Sequence, residues 1–202
     1  MNPIVLLLSF APWLLFALIA GNTMSRLVTA IFICTVLTVL LGYKQLRKRY
    51  LLTWGTLLFF VFCLIAVGLM KNVWVATNMN ALSYGALAVI TWGSILLGMP
   101  FTMQYAKEEV DRSLWDSPAF IHSNRLITAV WGVLFLANLA ISIYRHEHSG
   151  MNEMIFIAAG WLVMLGGVAF TTAYSSWAHK KRLQAEAASS ASSVHAPAKG
   201  AK

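Results

Sequence analysis

His146-Glu147-His148 is the most chemically suggestive triplet in the chain, because imidazole and carboxylate groups are the common ligands of divalent metal ions. Spacing works against it. Residues two apart point to different sides of a helix, so the histidines could share an ion only from an extended backbone. Glu153 alone could join them from the same loop, whereas a tetrahedral site needs three or four convergent ligands. No metal is expected, and the triplet reads as a solvated loop. A second group is Glu108, Glu109, Asp111 and Asp116, interleaved with Lys107 and Arg112 and followed by Arg125. Paired carboxylates can carry acid–base chemistry where a site shifts their pKa values. No nucleophile motif, glycine-rich phosphate loop or cofactor fingerprint accompanies them, so no catalytic residue and no cofactor is expected.

Uncharged polar residues inside apolar stretches are the other candidates. Asn138 sits near the middle of a long apolar run, and Gln104 lies just past the end of another. An Asn surrounded by hydrocarbon normally bonds a neighbouring helix, contributing on the order of 1 kcal/mol. A role in touching a solute is the alternative. Gly160, Gly166 and Gly167 read as places of close helix packing. Cys34 and Cys63 lie deep in apolar runs without a C-x-x-C pattern, so neither redox nor zinc chemistry is supported.

The elements that must position these residues follow from composition. Of 202 residues, 59% are hydrophobic and 11% charged, too few ions to cover the surface of a water-soluble fold this size. Six apolar runs are long enough to cross a bilayer as helices: Pro3–Gly21, Leu27–Tyr43, Tyr50–Met70, Ala81–Phe101, Leu126–Tyr144 and Met154–Ala173. None contains Lys, Arg, Asp, Glu or His, and none alternates in polarity as a barrel strand would. The expected fold is an all-α polytopic transmembrane bundle over residues 1–183, with a disordered cytoplasmic tail at 184–202. Pro3–Gly21 also resembles a signal segment around Ala17–Ala20, but it has no basic n-region and reads as a span.

Charge orients the bundle. With a cytoplasmic N-terminus, twelve of the fifteen Lys and Arg fall on the cytoplasmic side, and only Arg26, Lys71 and Arg145 on the other. Tyr43, Tyr50, Trp54, Trp74, Tyr144 and Trp177 fit interfacial belts. The net charge of +8 lies in clusters without interleaved aromatics, which suits anionic lipid headgroups rather than nucleic acid. Residues 102–125 form the one sizeable soluble stretch, where Lys107/Asp111 and Glu108/Arg112 at i,i+4 predict a helical extension of the fourth span, broken by Pro118.

Two further patterns bear on function. Ser25–Phe32 and Asn124–Trp131 share four of eight residues and enter spans of opposite direction, as a three-plus-three inverted repeat of a secondary transporter would. Ordinary N-caps at Ser25 and Asn124 followed by apolar residues explain the match equally well. The run Leu8-Ser-Phe-Ala-Pro-Trp-Leu-Leu-Phe16, the basic hinge Lys44–Tyr50, and Trp115-Asp-Ser-Pro-Ala-Phe120 leading to Asn124 and Ala137-Asn138-Leu139 resemble the intracellular septation protein A (YciB) family of bacterial inner membranes. That resemblance implies a non-enzymatic inner-membrane protein of envelope homeostasis or septation, working through contacts with other membrane proteins or itself. Trp115, Asn124 and Asn138 are the positions it touches. The chain departs from the family at Pro100–Glu109 and in its Ala/Ser tail. The alternatives are a small transporter with Asn138 and Gln104 near its path, and a membrane enzyme using Glu108 and its neighbours with Arg125.

Overall fold

Apolar helices joined by connections of a few residues must run antiparallel to their neighbours. The computed structural model describes residues 3–194 apart from 22, 149 and 151, and it has this up-and-down order. The helices are α1 (Pro3–Ile19), α2 (Met24–Arg47), α3 (Leu51–Cys63, continued by a π-helical turn Leu64–Leu69), α4 (Val73–Thr77), α5 (Met79–Leu96), α6 (Phe101–Ala106), α7 (Pro118–Glu147) and α8 (Glu153–Val194). No strand occurs among the described residues. Five helices are long and apolar enough to cross a membrane: α2, α3 with its π turn, α5, α7 and α8 as far as Ala178. The first expected span is α1, seventeen residues and shorter than these five. Turns alternate between two faces. The basic face carries the 48–50 and 107–117 connections, and the opposite face carries the 20–23, 70–72 and 148–152 connections.

The outside is apolar like the core, and hydroxyls are held inside. Leu96 is 86% exposed and Val89 74%, whereas Thr38, Thr56, Thr91, Ser94, Thr102 and Thr128 are buried. Against hydrocarbon an outward Leu costs nothing, but a hydroxyl there lacks a partner. Inside the bundle many hydroxyls bond their own helix: Thr38 donates to the Cys34 carbonyl, Ser83 to Met79 and Thr171 to Gly167.

Two of these threonines do more. Thr56 donates to the Leu52 carbonyl and accepts the Trp13 indole N–H at 2.9 Å, clipping α1 to α3. Thr171 donates to Gly167 and accepts the Trp131 indole N–H at 3.0 Å, clipping α7 to α8. Phe10, Trp13 and Phe16, three apart on α1, are all buried. Phe10 stacks on Trp131 at 5.2 Å and meets Phe101 and Phe135, while Trp13 and Phe16 pack on Phe60. The first helix is therefore core.

Glycines set the α7–α8 distance. A Cβ at Gly160 would lie 2.9 Å from Asn138 Oδ1, and one at Gly167 would lie 2.6 Å from Leu134 Cδ1. A Cβ at Gly166 would meet nothing within 4 Å, so no close packing there requires a glycine. Gly98, at φ +72°, ends α5: its N–H bonds Ile95 O and the next N–H bonds Ser94 O, before Pro100. Arg49, at φ 59°, ends α2 with the same bond pattern to Leu46 and Gln45, a left-handed position that glycine fills more easily.

Several sequence expectations are corrected. The fourth span stops at Leu96 because Gly98 and Pro100 break it, and Phe101 belongs to a separate helix. The expected extension through Lys107–Arg112 does not form. Asp111 is extended and accepts the Ser113 N–H instead. Pro118 starts α7 rather than ending a helix, behind Ser117, whose hydroxyl accepts the Phe120 N–H. Thr23, not Ser25, caps α2, and Asn124 lies inside α7 rather than at its cap. The tail expected to be disordered from Gln184 is helical as far as Val194, its alanines being strong helix formers. Residues 195–202 lie outside the described residues.

A double-mutant cycle tests the clips. Trp131→Phe and Thr171→Val should show a coupling energy of about 1 kcal/mol in reversible unfolding in detergent. Full additivity would remove the clip from the account.

Candidate functional site

Polar side chains gather in two places, one at each end of the bundle. At the basic face, the six residues of α6 turn back into the protein, and Phe101, Thr102, Met103, Tyr105 and Ala106 are all buried. A helix this short has more unpaired ends than internal bonds, so neighbours must supply partners. The Phe101 N–H donates to Ser94 Oγ on α5. Thr102 donates to the Asn124 carbonyl and shares a 2.7 Å hydrogen bond with Thr128, both on α7. Gln104 Oε1 accepts the Leu51 N–H, one of the free donors that open α3. The Tyr105 hydroxyl bonds Thr53, and its ring meets Tyr50 edge-on at 5.0 Å.

Just after α6, Glu108 receives the Lys48 ammonium at 2.7 Å and the Tyr50 hydroxyl on the same oxygen. Partial burial pushes its carboxyl upward. The Lys48 and Tyr50 hydrogen bonds and the Lys48 and Lys44 charges outweigh that and hold it below the ordinary carboxylate range. Trp115 donates to the Val110 carbonyl and lies under Lys107 and Arg112, 5.0 and 5.5 Å from the ring centre. Asn124 donates to Phe120 O, and Arg125 is exposed on α7. Gln104, Glu108 and Asn124 are thus brought together around α6 in a structural staple. Glu108 faces Lys48 rather than Arg125, so the arrangement imagined for an enzyme is not formed by these residues.

At the opposite face, α1, α2, α5, α7 and α8 diverge around a cavity of about 690 Å³. Its size and mixed lining match small-ligand sites, which run to about 300–1,000 Å³. Asn138, 1% exposed, lies on its wall with its amide donating to Leu134 O. One and two turns nearer the mouth on α7 come Ser142 and Arg145, and Asn80, Ser83 and Tyr84 face in from α5. Arg145 pairs with Glu153 across the α7–α8 turn at 3.2 Å. The floor is apolar, with Phe10, Trp13, Leu87 and Met164. Below it the Phe10–Trp131–Phe135–Phe101 cluster fills the space toward α6.

Among the wall residues the sequence singles out Asn138 for its polarity, Gly160 for helix packing and Glu153 only as a metal ligand to join His146 and His148. Arg145 and Glu153 sit at run boundaries, and cation and carboxylate eight apart across a tight turn are a signal for pairing. His148 stacks on Tyr144 at 4.0 Å, and among the described residues no three metal-binding side chains converge.

The staple makes a pH prediction. Because folding lowers the Glu108 pKa, its contribution is complete above the ordinary value of 4.5 and disappears as pH falls through the folded value. Both partners are substantially exposed, so the effect is about 0.5 kcal/mol. The melting-temperature advantage of wild type over Glu108→Gln should be present at pH 7 and shrink as pH is lowered below 4.5. An advantage independent of pH would contradict the staple. Compared with known proteins, the chain matches no family model, no curated protein and no solved structure.

Proposed function

We propose that the chain is a six-span protein of a bacterial inner membrane that takes a small ligand into the cavity between α1, α5, α7 and α8, without catalysing a reaction. The observation that carries this is the cavity itself: large, polar on its α5 and α7 side, and reaching Asn138 at mid-helix depth. Counting α1 as the sixth span is supported by its apolar sequence and its central packing. The termini lie in the cytoplasm on this reading, since Lys44–Arg49, Lys107, Arg112 and Arg125 share one face. That basic rim meets anionic lipid headgroups. The cavity then opens away from the cytoplasm, and the aromatic cluster with α6 closes its inner end, as one state of a carrier requires.

A second reading, contact-based work in envelope homeostasis or septation, is favoured by α8. Its sixteen residues beyond Ala178 project about 24 Å past the last apolar segment, as a rod that a partner could hold. The repeat finds little support: Ser25–Phe32 opens α2, while Asn124–Trp131 begins six residues inside α7.

Accessibility tests the leading reading. In a Cys34→Ala, Cys63→Ala background, Ser142→Cys should react with a membrane-impermeant thiol reagent added from outside the cytoplasm. Thr128→Cys, buried beside α6, should stay unreacted. Equal labelling of the two, or labelling of Ser142→Cys from the cytoplasm only, would refute an outward cavity.

A further inference from the structure

The cavity is graded along its depth. Charge occurs only at the mouth, where Arg145 pairs with Glu153, side chains 33% and 66% exposed. On the α1–α2 side the Arg26 side chain lies over Gly21, a lining residue whose Cβ would meet Arg26 Cδ at 2.5 Å, but Arg26 itself does not line the cavity. The lining holds one cation and one carboxylate, and Arg145 is the more enclosed of the two. One turn in, the groups are neutral and polar, Ser83, Tyr84 and Ser142. Deeper still, Asn138 is the last polar side chain before an apolar end formed by Phe10, Trp13, Leu87 and Met164. The α8 lining from Glu153 to Met164 covers about 16 Å of helix rise.

A ligand complementary to this gradient has an anionic head, a short polar shoulder and an apolar tail. A compact sugar or amino acid would leave the apolar floor empty, and a cationic head would face Arg145. From the order of charge, polar groups and apolar walls along the cavity, we infer that it binds a single-chain amphiphile with an acidic headgroup, the head at Arg145 and the tail toward Phe10. Arg145 exchanges its Glu153 partner for the ligand's anion, or shares itself between them, and a guanidinium with five donors can do so. The inference rests on the cavity being the ligand site.

The test uses purified full-length protein in nanodiscs of zwitterionic lipid, titrated with dodecanoate, dodecanol, dodecyltrimethylammonium and acetate, and followed by tryptophan fluorescence, since Trp13 and Trp161 line the cavity. Dodecanoate should bind saturably and about tenfold more tightly than dodecanol. Arg145→Gln should remove that tenfold preference while leaving dodecanol unchanged, and Arg145→Lys should keep most of it. Ser142→Trp, which fills the cavity, should abolish saturable binding by both. Dodecyltrimethylammonium as the tightest probe, or saturable acetate binding without a tail requirement, would overturn the amphiphile while leaving the cavity as a binding site. Saturable dodecanoate binding that Ser142→Trp leaves intact would place the amphiphile elsewhere and overturn the inference. No saturable binding of any probe would overturn the inference and count against the ligand-binding reading as well.

Discussion

The constraint on which this structure depends is that a polar group facing hydrocarbon has no water to bond, so donors and acceptors in the membrane must look for partners within the protein, and Thr91 Oγ1 and Trp92 Nε1 are buried ones that find none. It explains why the interior holds hydroxyls and the surface holds leucines. It also explains the economy of the Trp–Thr clips. A threonine that bonds its own carbonyl still has a lone pair to offer, and an indole N–H from another helix takes it. Helix α6 is the extreme case. Its inward turn exposes backbone and side-chain polar groups within the bundle, and Ser94, Asn124, Thr128, Leu51 and Thr53 answer them one by one. One short helix thereby joins α3, α5 and α7, and its ring contact at Phe101 reaches α1.

The two ends of the bundle use polarity differently. At the basic face, hydrogen bonds are spent in fixing α6 and the α2–α3 turn, with Glu108 binding Lys48 and Tyr50. Arg49 holds a left-handed position there despite its side chain, as Lys71 does at the opposite face. At the opposite face polar side chains on α5 and α7 line the cavity, Ser83 and Asn138 bonding carbonyls of their own helices rather than one another. Closed and stapled at one end and open at the other, the fold has the asymmetry that the proposed binding from one side of a membrane requires.

Much of this was legible in the sequence, because hydrophobic run length reports directly on spanning helices. Five of the six runs correspond to helices long and apolar enough to cross a membrane, and Gly160 and Gly167 lie where close packing was expected. What was not legible depended on tertiary partners. Residues 102–125 look soluble because they hold charges, but the charges begin only at Lys107, and Phe101–Ala106 before them is buried. The i,i+4 pairs there suggested a helix, yet Glu108 finds a better partner sixty residues away in Lys48. Asn138 was noticed for its polarity, while Ser83, Ser142 and Tyr84 were not, since single small polar residues in apolar runs are ordinary until a cavity gathers them.

The placement of α6 is the most direct test of the whole account, because only satisfied hydrogen bonds let that segment sit inside the bundle. Amide hydrogen exchange in lipid nanodiscs measures it. The amides of residues 101–106 should be protected to the same degree as those of residues 91–96 in α5. Exchange as fast as that of residues 107–112 would mean that α6 lies in water, and the account would fail.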